Sequence, residues 1–176
     1  MKALLPDIKM ILMLRNPVDS AYSCWNMRYI EKRLITEGLT LNRQSKVQIK
    51  DLSFSSLVDH YLAQREDQMY ISRRPLDLIH RGLYIDQIEH LLKYFKREQL
   101  LLIISERFQK DQNKGYNEIC SFLEIPPFRE GPFIHFNKGE YKKSMPAHTK
   151  KKLQELYAPF NERLFDLLGF QIKEWN

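Results

Sequence analysis

The sharpest chemical pattern in the sequence is RNPVDSAYS, Arg15 to Ser23. An arginine guanidinium is a planar fork of donors suited to phosphate, and a serine hydroxyl can add one more. Between them, Asn16 suits a helix N-cap, Pro17 suits the first helical position, and Asp19 falls where a carboxylate favours the positive helix end. The string therefore reads as a strand exit, a tight turn and a helix start, with Ser23 two turns into the helix. At such a junction in an open α/β sheet, ligands collect at the carboxyl edge and helix amides favour phosphate. Arg15 and Ser23 can together hold one terminal phosphate. The same spacing also suits a capped helix with an exposed arginine and an ordinary helical serine.

Charge is distributed unevenly. Against a net charge of +6, the segment Lys138 to Lys152 holds six lysines and one glutamate, which is +5. Such a run is either a solvated face or a surface for an anionic partner. His60, His80, His90, His135 and His148 show no metal-ligand spacing, and no His-Glu-x-x-His string occurs, so the sequence supports no metal site. Cys24 and Cys120 stand 96 positions apart with no pattern around them. That suggests neither a disulfide framework nor a cysteine metal site and fits a reducing, cytoplasmic compartment.

These residues need elements to hold them. Lys9 to Leu14 and Leu100 to Ser105 are short apolar runs that read as buried parallel strands. Three helical stripes follow the 3.6-residue period: Ile88, Leu91, Leu92 and Phe95; Tyr116, Ile119, Cys120 and Leu123; and Leu153, Leu156, Tyr157, Phe160, Leu164, Leu167 and Leu168. All three predict core faces. Pro159 should kink or split the last helix, and Gly169 is placed to end it. Residues 38–52 lack a period and predict a surface connection into a helix over Ser55 to Arg65.

The 176 residues, 43% of them hydrophobic, suffice for one domain with a core and exclude disorder, collagen and a multidomain assembly. The apolar run Met10 to Leu14 is five residues long, whereas a spanning helix needs roughly 20, so no membrane segment is expected. The opening MKALLPDIKMILML is interrupted by Pro6, Asp7 and Lys9 and has no small-residue cleavage site, so it reads as mature protein. Strands alternating with helices predict an α/β fold with a mainly parallel sheet. Two strands make a thin sheet, so the chain reads as the later part of a larger unit, or as one that completes its sheet by association.

RNPVDSAYS resembles the 3′-phosphate-binding motif of sulfotransferases that use 3′-phosphoadenosine 5′-phosphosulfate, in which an arginine ends a strand and a serine eight residues later lies on the next helix. RGLYIDQIEHLLKYFKREQLLLIISE, Arg81 to Glu106, resembles the helix and strand that follow in the bacterial and heparan-sulfate-type branch. NEICSFLEI, Asn117 to Ile125, is similar to the helix after that strand. Asn137 to Gly169 is similar to the family's closing segment, in which a Lys-Gly loop covers the nucleotide before a terminal helix.

The resemblance implies a three-layer, P-loop-like fold, incomplete at the N-terminus, with residues 1–176 forming the carboxyl-terminal portion of a single sulfotransferase domain. It implies that Arg15 and Ser23 bind the 3′-phosphate and that a loop carrying Lys138, Gly139, Tyr141 and Lys142 closes over the same end. Lys138 and Lys142 supply cations and Gly139 permits close backbone approach. Glu140 departs from the basic residue that family loops often carry. Arg81 and Tyr84 are candidates to face the acceptor, although Tyr84 suits packing equally well. Glu106 is implied to fix the adjoining turn.

Sulfotransferases of this type also need a Lys-Gly-rich loop around the 5′-phosphosulfate, and no such string occurs upstream of Arg15. The catalytic base is expected upstream as well. The expected activity of the intact form is transfer of a sulfuryl group from 3′-phosphoadenosine 5′-phosphosulfate to a hydroxyl or amine of a small molecule or glycan. The alternative is a non-catalytic nucleotide-binding or interaction module. Self-association or an N-terminal partner segment would complete the sheet. Neither a nucleic-acid reader motif nor the GxxxxGK[ST] string of a P-loop kinase is present.

Overall fold

The computed structural model describes residues 5–30, 53–63, 77–129 and 144–175. The chain divides into two compact units: Met1–Asn16, Tyr84–Lys138 and Gln171–Asn176 form the first, and Pro17–Leu83 with Gly139–Phe170 form the second.

In the first unit, strands β1 (Met10–Leu14) and β2 (Leu100–Ile104) pair in parallel, in register from Met10 with Leu100 to Leu14 with Ile104. Both predicted strands are present, and their parallel sense places the protein in the α/β class. Leu14, Leu100, Ile103 and Ile104 are buried, whereas Ile11 and Met13, alternating along one face of β1, are 40% and 51% exposed. Gln99 fixes the start of the pair by donating from Nε2 to the carbonyls of Pro6 and Ile8 at 2.8 and 2.9 Å.

Helix α4 (Tyr84–Leu92) turns Ile85 and Ile88 into the core of this unit, and Phe95 is buried just beyond its end. After β2 the chain enters α5 (Ser105–Lys110) without a loop and then α6 (Gln112–Leu123). Asp111 caps α6 by accepting the Lys114 N–H at 3.0 Å, and Glu124 ends it in the left-handed region at φ 60°. Lys9 closes this corner by donating to the Phe122 carbonyl and to Glu124 Oε1, each at 2.8 Å. The unit ends with Ile172, fully buried, and a 3-10 turn over Lys173–Trp175.

The second unit is helical in its described residues. Its helices are α1 (Pro17–Ile30), α2 (Phe54–Ala63), α3 (Asp77–His80) and α7 (Ala147–Leu168). Val18, Ala21 and Tyr22 from α1 pack with Phe54, Leu57, Val58 and Tyr61 from α2, Leu78 and Ile79 from α3, and Leu153, Leu156 and Tyr157 from α7. Inside this core the Tyr157 hydroxyl donates to the Ile79 carbonyl at 2.7 Å. Ser55 and Thr149 share a 2.6 Å hydroxyl contact between α2 and α7.

Helix α7 runs unbroken through Pro159 rather than dividing there. Proline removes one hydrogen bond to the carbonyl four residues earlier, that of Glu155. Both Pro159 and Glu155 are exposed, and the helix continues on the packing of its buried face at Leu153, Leu156, Tyr157 and Leu164. Gly169 ends it as expected, at φ 74°. Most of the predicted stripe is core, but Leu167 is 36% exposed. The predicted surface connection over residues 38–52 falls outside the described residues.

Candidate functional site

Parallel pairing decides where the candidate residues emerge. Because the last pair is Leu14 with Ile104, both strands leave the sheet at the same edge. Asn16 and Glu106 stand at equivalent positions, each two residues beyond that pair. The backbone N–H of Asn16 donates to Glu106 Oε1 at 2.8 Å. Glu106 therefore fixes the turn after β1, as the sequence resemblance implied.

The other carboxylate oxygen of Glu106 accepts the indole Nε1–H of Trp175 at 3.2 Å. The Asn16 side-chain amide in turn donates to the Trp175 carbonyl oxygen at 3.4 Å. Asn16, Glu106 and Trp175 thus form a closed ring of three contacts. Beside it, Arg107 grips Glu174 with two parallel bonds, Nε to Oε1 at 2.9 Å and Nη2 to Oε2 at 3.1 Å. The hydrogen bond from Arg107, with its charge, holds the Glu174 carboxyl below the ordinary glutamate range; reciprocally, the same bond raises Arg107.

Arg15 is the residue between the last residue of β1 and Asn16. Its side chain is half-buried and has neither a hydrogen-bond nor an ion-pair partner among the described residues. An arginine at the carboxyl end of a parallel strand fits a phosphate, which would supply the acceptor oxygens. Pro17 is the first residue of α1, Asp19 lies in its first turn, and Ser23 is half-buried further along it.

The remaining candidates are placed as follows. Tyr84 opens α4 in the first unit and is half-buried, its ring centroid 5.9 Å from that of Trp175. Arg81 is exposed in the turn after α3, in the second unit. Lys138, Gly139, Tyr141 and Lys142 lie outside the described residues. Further along the basic segment, Lys152 pairs with Asp59 at 2.6 Å and Lys151 with Glu155 at 3.9 Å, so these two lysines sit on a solvated helix face. Among the described residues no three His, Cys, Asp or Glu side chains cluster as a metal site would need, and no helix is long and apolar enough to cross a membrane.

Sequence reasoning missed Trp175 and the reason for Gly82. No local pattern marks Trp175, whose partners lie 69 and 159 positions away. Gly82 carried a signal, a glycine between two helices. A Cβ there would sit 2.7 Å from Tyr157 Cε1 and 2.8 Å from Pro17 Cβ, so only glycine lets this turn lie against the first residue of α1.

Comparison with known proteins agrees with this arrangement. The family model described as "Sulfotransferase domain" matches residues 1–158. Human heparan sulfate glucosamine 3-O-sulfotransferase 6 is 25% identical over 95% of the chain and 49% of its own length. Mouse carbohydrate sulfotransferase 15 is 24% identical over 97% of the chain and 31% of its own length. The crystal structure of a sulfotransferase from Alicyclobacillus acidocaldarius matches 99% of the chain and 60% of its own length, with a TM-score of 0.64 and 26% identity. The chain spans about half or less of the length of these two curated relatives. With the parallel strand pair, the arginine at its carboxyl edge and the family match over most of the sequence, the chain belongs to the sulfotransferase family.

Proposed function

We propose that this protein carries the 3′-phosphate-binding part of an enzyme that transfers a sulfuryl group from 3′-phosphoadenosine 5′-phosphosulfate to a hydroxyl or amine. In this reading Arg15 and Ser23 hold the 3′-phosphate, and the loop of Lys138, Gly139, Tyr141 and Lys142 closes over it. The observation that carries the reading is Arg15, half-buried at the strand's carboxyl edge without a partner among the described residues. An acceptor oxygen or nitrogen attacks sulfur in line as the bond from sulfur to the 5′-phosphate oxygen breaks. The electron pair leaves with adenosine 3′,5′-bisphosphate, and the acceptor proton passes to a base.

The 5′-phosphosulfate loop and the base are assigned to polypeptide outside the 176 residues, either continuous with them or supplied by an N-terminal partner segment. The unfilled face of β1 at Ile11 and Met13 supports such a neighbour. The relatives' names, with heparan sulfate and carbohydrate as acceptors, support a glycan or a related small molecule here. Arg81 and Tyr84 are the proposed acceptor-side residues. Both units fall largely within residues 1–158, which supports treating the chain as one functional domain. The two free cysteines, Cys24 and Cys120, support a reducing, cytoplasmic setting.

A second reading, a nucleotide-binding module without turnover, rests on the same half-buried Arg15. Calorimetric titration with adenosine 3′,5′-bisphosphate, against adenosine 5′-monophosphate, tests what both readings share. Preference for the bisphosphate is expected. Each charge-assisted bond is worth about 1.5 to 3 kcal/mol, so Arg15→Ala should weaken bisphosphate binding by roughly ten- to a hundredfold. Equal affinity for the two nucleotides, or an unchanged variant, would overturn the 3′-phosphate assignment. Adding the upstream region and an acceptor then separates the readings, since turnover supports only the first.

A further inference from the structure

We infer that Trp175 is a positioning residue for the phosphate turn, acting through Glu106. The inference rests on the proposed reading of Arg15 as the 3′-phosphate ligand. The peptide plane between Arg15 and Asn16 runs from one Cα to the next and includes the Asn16 N–H. Holding that N–H at 2.8 Å on Glu106 therefore fixes the plane from which the Arg15 side chain projects.

A carboxylate held through one oxygen alone can still rotate and carry the turn with it. Trp175 removes that freedom by donating its indole N–H to the second oxygen, while its carbonyl takes the Asn16 side-chain amide. Trp175 is itself well anchored. It is 7% exposed, packs its ring against Tyr84, and follows Glu174, which Arg107 holds with two bonds. A phenylalanine would serve the packing; only the indole N–H serves the carboxylate. The turn is thus ordered before the anion arrives, which removes an ordering cost from binding.

The test uses Trp175→Phe in the 176-residue chain, with hydrogen exchange at the Asn16 amide and titration with the two adenosine nucleotides. Asn16 exchange should accelerate by about tenfold, and affinity for adenosine 3′,5′-bisphosphate should fall by roughly three- to tenfold, with 5′-monophosphate binding unchanged. In an Arg15→Ala background, Trp175→Phe should cause no further loss, because the two act on one interaction. Unchanged bisphosphate affinity in a folded Trp175→Phe protein overturns the positioning role, as does an equal loss for both nucleotides. Glu106→Gln is the second variant: it keeps an oxygen for Asn16 but turns an amide toward the indole N–H, and it should reproduce the same pattern. If the unaltered chain shows no preference for the bisphosphate, or Arg15→Ala binds it normally, the phosphate reading fails. The Asn16 amide alone then decides whether Trp175 holds the turn.

Discussion

Gly82 and Tyr157 lie closer together than any other residue at position 82 would allow, with the site of a Cβ only 2.7 Å from Tyr157 Cε1. The ring cannot easily retreat, because its hydroxyl is bonded to the buried Ile79 carbonyl. Gly82→Ala should therefore lower stability by about 1 to 3 kcal/mol through overpacking. Urea denaturation would measure it, and an unchanged midpoint would show that Pro17 and Tyr157 yield without cost.

Tyr157→Phe isolates the other half of this contact. Deleting the hydroxyl removes the 2.7 Å donor but leaves the Ile79 carbonyl its bond from the Gly82 N–H at 3.0 Å, so the loss should be that of one net hydrogen bond, about 0.5 to 1.5 kcal/mol. The urea midpoint should fall while the slope with denaturant stays constant. A changed slope would point to an altered unfolded ensemble instead.

Ser23→Ala should weaken adenosine 3′,5′-bisphosphate binding by roughly ten- to a hundredfold, the scale of one hydrogen bond to a charged acceptor. Affinity for the 5′-monophosphate should not move. Loss of both in parallel would make Ser23 a helix-packing residue rather than a phosphate ligand.

Acid should loosen the tail through Glu174. The hydrogen bond and charge of Arg107 hold the Glu174 carboxyl below its unfolded value. Its contribution is thus complete above the ordinary glutamate value and is lost as pH falls through the depressed one. With side chains 42% and 36% exposed, the Arg107–Glu174 pair is worth less than about 1 kcal/mol. Tryptophan fluorescence reporting on Trp175 should shift as pH drops below about 4.3, and Glu174→Gln should show that shift already at neutral pH. Identical profiles for the two proteins would remove Glu174 from the transition.

Gln99→Ala removes both donors that tie β2 to the start of β1. Amide exchange at the N-terminal end of β1 should accelerate, with a global loss of about 1 kcal/mol. Exchange confined to its original rate would show that strand pairing alone holds this end.

The legible parts of the fold are those written in local pattern. The apolar runs of β1 and β2 admit few readings, and the stripe through Leu153, Leu156, Tyr157 and Leu164 gives the buried face of α7. The strand exit and helix start from Arg15 to Ser23 leave a short sequence signature, whereas Glu106 is legible only through the family resemblance. Of the two outcomes expected at Pro159, a split does not occur, because one lost backbone bond is small against the packing of Leu153, Leu156, Tyr157 and Leu164 on either side. Trp175 was invisible for a different reason: a single tryptophan in a polar tail carries no period, and its value comes from a carboxylate far away in sequence.

That distance sets an order of events during synthesis. Asn16 takes partners 90 and 159 positions downstream, so on a ribosome Arg15 leaves the exit tunnel well before its turn can close. Helices such as α1 and α2 need only near neighbours to begin forming, whereas the β1–β2 pair must close a loop of about 90 residues and pays its entropy first. A nascent chain stalled ahead of residue 175 would display the arginine without the ordered turn. This corner can therefore close only once Trp175 has left the exit tunnel.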